Sequence, residues 1–202
     1  MIRISLLALL LASIVGCASG SLDSKAVRVD QSDHKQVSGI DADEYSVYSA
    51  LLAKLYTQSL PIVIDQPSAF VFGKSDLDAT LKYVSQNTSE GIAPALLDDF
   101  KRKNSEKENL TNRFDSAISV DLITKEEADR LYENSGWARF LETHPHGAVV
   151  TFSRVGFMPD RKQALVYTGI QSGGKSGSGY YVVLTNERSG WQIKSKVEVW
   201  VS

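Results

Sequence analysis

Four β-rich runs fill the last third of the sequence, at residues 148–155, 163–170, 179–185 and 191–201. Turn-forming residues separate them: Met158-Pro159-Asp160, a long Gly/Ser loop, and Glu187-Arg188-Ser189-Gly190. Runs of this length, rich in β-branched and aromatic residues, predict a four-stranded antiparallel meander. In the last run Trp191, Ile193, Val197 and Val199 alternate with Gln192, Lys194, Lys196 and Glu198. Side chains alternate across a strand, so this run has one apolar and one wet face, with Trp200 falling on the wet side. Such a sheet needs a layer over its apolar face.

The preceding residues supply that layer. From Asp41, Tyr45, Tyr48, Leu52, Leu55 and Tyr56 recur at helical spacing, with Asp41, Asp43 and Glu44 where the helix dipole favours negative charge. This helix is expected to end near Ser59-Leu60-Pro61, and Ile62-Val63-Ile64 then reads as a short buried strand. Leu77, Leu81 and Val84 predict a second helix, and Leu96, Leu97 and Phe100 after Pro94 a third, divided by the breaker at residues 87–91. The charges of both signs over residues 98–108 read as a solvated helix end and loop. Thr124-Lys125-Glu126-Glu127 has capping-box spacing and predicts a short helix to about Tyr132, followed by an amphipathic piece at 137–141. With 43% hydrophobic residues the chain can bury one ordinary core. Residues 40–202 are therefore expected to form a single α+β domain, N-terminal helices packed on a C-terminal four-stranded antiparallel sheet.

The first residues carry an address. Met1-Ile2-Arg3 leads into an apolar run at 4–15 and then Gly16-Cys17. A membrane-crossing helix needs about 20 apolar residues, whereas a secretory leader needs roughly 7 to 15 after a basic start. Ile14-Val15-Gly16-Cys17 resembles the lipobox of bacterial lipoproteins. The resemblance implies a signal peptide at 1–16, cleavage before Cys17, and acylation of that cysteine, palmitate included. Residue 18 is Ala and not Asp, which by the same resemblance implies the outer membrane. Cys17 is the only cysteine, so no intramolecular disulfide can form. Residues 18–39 are mostly polar and read as a flexible tether reaching ~25 Å, so that 17–39 is a lipidated leash. Cleavage removes only Arg3 among charged residues, leaving 21 Lys+Arg against 24 Asp+Glu, a net charge of −3. Nothing in that balance favours a nucleic-acid partner.

Within the domain, Glu44-Tyr45-x-Val47-Tyr48, Ser153-Arg154-Val155-Gly156-Phe157, Gln163-Ala164-Leu165-Val166-Tyr167 and the ending Trp200-Val201-Ser202 are similar to a family of uncharacterised bacterial exported proteins. The resemblance implies one intact domain and carries no catalytic residues with it.

Five groups of residues invite a chemical reading. Residues 169–176 match the phosphate-loop pattern G-x-x-x-x-G-K-[ST], but that chemistry needs a helix after the loop, and Tyr180-Tyr181-Val182-Val183-Leu184 reads as a strand. A hairpin loop without nucleotide is expected there. Glu142, His144 and His146 stand at alternate positions, and on an extended backbone two imidazoles and a carboxylate can hold zinc with an open fourth position. The competing reading is a polar turn at Pro145. A serine hydrolase lacks its Gly-x-Ser-x-Gly elbow, and its only bases would be His34, His144 and His146. Arg154 shares a strand face with Val150 and Phe152, so it either pairs with a helix carboxylate at the sheet edge or offers its guanidinium to an anionic ligand. Tyr180, Tyr181, Trp137, Trp191 and Trp200 are either a stacking surface for a ligand or core and rim. The resulting expectation is a non-catalytic envelope lipoprotein that binds a protein or cell-wall component, the alternative being a zinc-assisted hydrolase that uses Glu142, His144 and His146.

Overall fold

A computed structural model describes residues 39–56, 62–65, 76–114 and 119–202. The expected signal peptide at 1–16, Cys17 and the tether up to residue 38 lie outside the described residues. Among the described residues no helix is long and apolar enough to cross a membrane.

Helix α1 (Ala42–Leu55) begins where Asp41 Oδ1 accepts the Glu44 N–H at 2.9 Å, and it buries Tyr45, Val47, Tyr48, Leu51 and Leu52. It stops at Leu55, short of the expected Ser59. Tyr56 leaves the helix to bury its ring, and its hydroxyl lies 2.9 Å from Thr168 Oγ1. Strand β1 (Ile62–Asp65) follows, then α2 (Leu77–Gln86), α3 (Pro94–Lys103) and β2 (Val120–Ile123). The Thr124 capping box forms as its spacing predicts and starts α4 (Lys125–Arg130). Helix α5 (Gly136–Thr143) comes next, then β3 (Ala148–Phe152), β4 (Gly156–Phe157), β5 (Gln163–Gly173), β6 (Ser176–Glu187) and β7 (Gly190–Val201).

The architecture is α+β, but the sheet is larger than the expected four antiparallel strands. Among the described residues seven strands form one mixed sheet in the order β2-β1-β3-β5-β6-β7, with β4 pairing β5. The antiparallel part is the anticipated meander; β1 adds to it parallel to β3, and β2 parallel to β1. Val63 and Ile64 are both fully buried, which is the mark of a parallel strand covered on two faces. Residues 164–168 of β5 and 181–184 of β6 are likewise buried in unbroken runs. Helices therefore cover both faces. Helix α1 packs with Val150, Phe152, Val166, Val182 and Leu184 on one side, while α2 and α3 pack with Leu165, Tyr167, Tyr181 and Val183 on the other. Leu131 and Phe140 from the α4–α5 region pack on Val63 and Val149.

Two further departures have local causes. The Gly/Ser stretch is strand almost throughout: β5 and β6 continue to Gly173 and Ser176, leaving only Gly174-Lys175 at the turn. In β7 the single alternating period is broken by register shifts, because Val183 pairs Ser195 while Leu184 pairs Ile193, and Gly179 pairs Trp200 while Tyr180 pairs Glu198. Lys194 and Val199 are thus the extra residues of two bulges, which change the face that later side chains meet. Trp191 packs in the α1 core and Val197 in the α2–α3 core. Trp200 lands on the Gly169-Gly179 pair, where a Cβ at Gly179 would lie 2.0 Å from its Nε1, and that nitrogen donates to the Tyr167 hydroxyl at 2.8 Å. The bulges account for the position of Trp200 outside the simple pattern.

Candidate functional site

The residues joining β3 to β4, Ser153-Arg154-Val155, are where the two helical layers meet the sheet. Ser153 Oγ accepts the Tyr167 N–H at 2.8 Å and donates to the Arg154 carbonyl at 2.9 Å, which fixes the detour between the strands. Asn104, at the end of α3, accepts the Arg154 N–H at 2.9 Å and donates to the Arg154 carbonyl at 3.0 Å. Gly156 lies against α3, and a Cβ there would stand 2.6 Å from Phe100 backbone atoms. Asp99 accepts the Phe157 N–H at 2.8 Å from the same helix.

Arg154 turns its guanidinium inward onto α1. Its Nε and Nη2 donate to the two oxygens of Glu44 at 2.9 and 2.7 Å, a bidentate pair with a carboxylate that is 0% exposed. Glu44 also receives Lys103 Nζ at 3.1 Å, the Val155 N–H at 2.9 Å and, at 3.4 Å, the Tyr48 hydroxyl. Arg154 Nη2 reaches the Gly39 carbonyl at 3.2 Å, and Arg113 donates to the Ile40 carbonyl at 3.4 Å. Burial alone would lower the Arg154 pKa, but Glu44 outweighs it and holds the guanidinium above its ordinary range. Burial would raise Asp41 too, yet the Glu44 N–H, Lys103 and Arg161 pull it below its ordinary value. Of the two readings of Arg154, pairing with a helix carboxylate is what the geometry shows; its charge is committed inside the protein and does not face an outside ligand.

The other sequence candidates disperse. Tyr181 is 0% exposed, with its ring edge-on to Phe100 at 5.8 Å and Tyr167 at 5.5 Å, so it gives no surface to an external ligand. Its hydroxyl has no hydrogen-bond partner among the described residues, and burial raises its pKa. Trp191 is in the α1 core and Trp200 lies on the opposite face, while Tyr180 carries Lys196 Nζ 4.1 Å above its ring. Trp137 packs edge-on to Phe140 at 5.5 Å. The five aromatic residues do not make one stacking surface.

Glu142, His144 and His146 do not form a ligand set. Glu142 belongs to α5, His144 caps that helix, and His146 sits in a turn at φ 60°. The extended backbone that would aim all three one way is absent at these positions. His144 Nδ1 lies 2.9 Å from Thr143 Oγ1 and 3.2 Å from the Phe140 carbonyl, and its ring stacks on Phe140 at 4.5 Å. Among the described residues no group of three His, Cys, Asp or Glu side chains is placed to hold a metal ion. Residues 169–176 run strand, turn, strand, so no helix N-terminus stands where a phosphate loop requires one.

Several concave surfaces are present among the described residues, including two of similar volume. One, about 440 Å³, lies between the α2–α3 loop and the β6–β7 side of the sheet; Ser85, Thr88, Ile92, Gln163 and Ser195 line it, and Lys194 pairs with Glu90 at its rim. The other, also about 440 Å³, lies between α4 and α5. Ile123, Leu131 and Phe140 supply its apolar lining, and Arg130, Arg139 and His144 its basic groups. Sequence reasoning missed Glu44 and Asn104 as partners of Arg154, Lys103 as a second partner of Glu44, and Arg130 and Arg139 altogether. Glu44 was legible only as a first-turn charge, and a lone arginine on a short amphipathic helix carries no motif.

No family model matches the chain, and neither a curated protein nor a solved structure is found to match it.

Proposed function

We propose that this chain is a lipid-anchored binding domain of the bacterial cell envelope, without catalysis of its own, held at the outer membrane by acyl chains on Cys17. The lipobox-like Ile14-Val15-Gly16-Cys17 supports the anchor. The observation that carries the reading is the treatment of the chain where the tether would meet the domain. The carbonyls of Gly39 and Ile40 are held by Arg154 and Arg113, and Arg154 is in turn pinned by the buried Glu44. A pull on the leash would thus meet the sheet and α1 directly, through charge-assisted bonds, instead of peeling back the first turn of helix. Arg154 and Tyr181 are spent on internal contacts, and the reading leaves recognition to the surface, with an envelope protein or a cell-wall component as partner.

The anchor is tested by growing cells that express the full chain on an alkyne-tagged fatty acid, then blotting the tagged protein. Incorporation that disappears in Cys17→Ala, together with movement of the variant from the membrane to the soluble fraction, is the expected result. Equal labelling of both proteins, or none in either, would overturn the anchor.

A further inference from the structure

Several arginines outside the α4–α5 groove are held in ion pairs. Arg102 pairs with Asp99, Arg154 with Glu44, and Arg161 with Asp41 and Asp43. Arg130 and Arg139 line the groove, and no carboxylate among the described residues forms an ion pair with either. Arg139 Nη2 donates only to the Asn134 carbonyl at 3.3 Å, a bond that orients the guanidinium without neutralising it. Two carboxylates share the lining. Glu127 is committed to the cap of α4, where it accepts the Thr124 N–H at 2.8 Å, so only Glu133 is left facing two arginines.

The groove is also more than a charged patch. Gly136, Arg139, Phe140 and His144 recur at the three-and-four spacing of one α5 face, opposite Glu127, Arg130 and Leu131 from α4, beside Ile123 of β2. The Phe140 and His144 rings stack face to face, with centroids 4.5 Å apart and planes 11° from parallel, which fixes the His144 ring at the groove wall. The His144 Nδ1 contacts with Thr143 and Phe140 leave Nε2 as the ring nitrogen open to a ligand. At about 440 Å³ the volume falls in the range of small-molecule sites, which combine apolar walls with a few convergent polar groups.

We propose that this groove binds a small organic anion in which a carboxylate or phosphate is joined to a ring. The anionic group lies between the Arg130 and Arg139 guanidiniums, whose planar forks suit both oxyanions. The ring lies along Phe140 and Leu131. The inference rests on reading the domain as a binding module and specifies what it would take up; it is independent of how the chain is anchored.

The test is calorimetric titration of the full-length protein in detergent with four probes: phenyl phosphate, benzoate, inorganic phosphate and benzyl alcohol. Phenyl phosphate and benzoate are expected to bind, the two truncated probes at least tenfold more weakly, and affinity is expected to fall as salt rises. Arg130→Gln and Arg139→Gln should each weaken phenyl phosphate at least tenfold, about 1.4 kcal/mol, while the melting curve stays in place and Arg188→Gln, on the β6–β7 turn, changes nothing. Inorganic phosphate or benzyl alcohol binding as well as phenyl phosphate would overturn the proposal. So would undiminished binding in both arginine variants, or no binding of either aryl anion. None of these outcomes alters Cys17 labelling, so the two readings fail separately.

Discussion

Around Arg154 a fully buried carboxylate gathers an arginine, a lysine, a tyrosine hydroxyl and a backbone amide, whereas around Arg139 two guanidiniums stand in an open groove without an ion-pair partner. The contrast follows from solvation. A charge removed from water is tolerated only when its hydrogen-bonding capacity is met by the protein, so the interior forces matching. At the surface water does that work, an ion pair adds little, and an unmatched cation costs almost nothing to keep. The buried set therefore reports on folding, and the exposed set is where the proposed recognition would take place.

The largest expected effect comes from breaking the buried set. Glu44→Gln keeps the side-chain volume and removes the charge, leaving Arg154 and Lys103 without their common counter-ion. Removing one partner of a buried pair costs about 3–5 kcal/mol, to be read from urea unfolding. Arg139→Gln, by contrast, should change stability by no more than about 0.5 kcal/mol. Equal losses in the two variants would break the comparison, because the groove would then be part of the fold's foundation.

Raising the pH sharpens the same contrast. Burial holds the hydroxyls of Tyr48, Tyr56 and Tyr181 protonated above their ordinary pKa of 10.0, with the Glu44 charge adding to the effect on Tyr48. A group whose pKa is raised on folding contributes stability that is fully present below its unfolded value and is lost as pH rises through and beyond it. Stability should accordingly hold up to about pH 9 and decline from about pH 10 upward, in a series of urea melts at fixed ionic strength. Tyr48→Phe should flatten part of that decline. A stability curve that is level to about pH 11 would show that these hydroxyls are not shielded as the packing requires.

How much of this was legible depended on whether the signal was local. The acidic start of α1, the cap at Thr124 and the antiparallel meander were, since each is set by residues near in sequence. The parallel addition of β1 and β2 was not, because Ile62 and Val120 pair across nearly sixty intervening residues and nothing in either run names its partner. The bulges at Lys194 and Val199 were hidden for another reason: the alternation they interrupt is regular on both sides, and only the glycines opposite Trp200 make room for the change of face. Of the candidate site, Arg154 was visible as an arginine on an apolar face. Its partner Glu44, 110 residues away, looked like an ordinary helix-start carboxylate. Arg130 and Arg139 come together only because Gly136 lets α5 start against the last turn of α4, where a Cβ would meet the Arg130 carbonyl at 2.0 Å.

A small and local effect is expected from Thr124→Ala, and it tests whether the groove region is a separable unit. Helix α4 has six residues, none of them buried, so its order depends heavily on the reciprocal bonds between Thr124 and Glu127. Losing the hydroxyl removes about 1 kcal/mol from the helix. A helix with so little packing opens by itself well before the sheet does, which confines the loss to local stability. Amide exchange should thus speed up over residues 125–130 while the global urea midpoint moves little. Weakening of the capping box also releases the Glu127 carboxylate, which can then turn toward Arg130, so phenyl phosphate binding should fall severalfold in a domain that is still folded. A midpoint shift as large as that of Glu44→Gln would join the two regions into one cooperative structure. Faster exchange in α4 with unchanged binding would place the anion-holding contacts on α5 alone, with Arg139 as their centre.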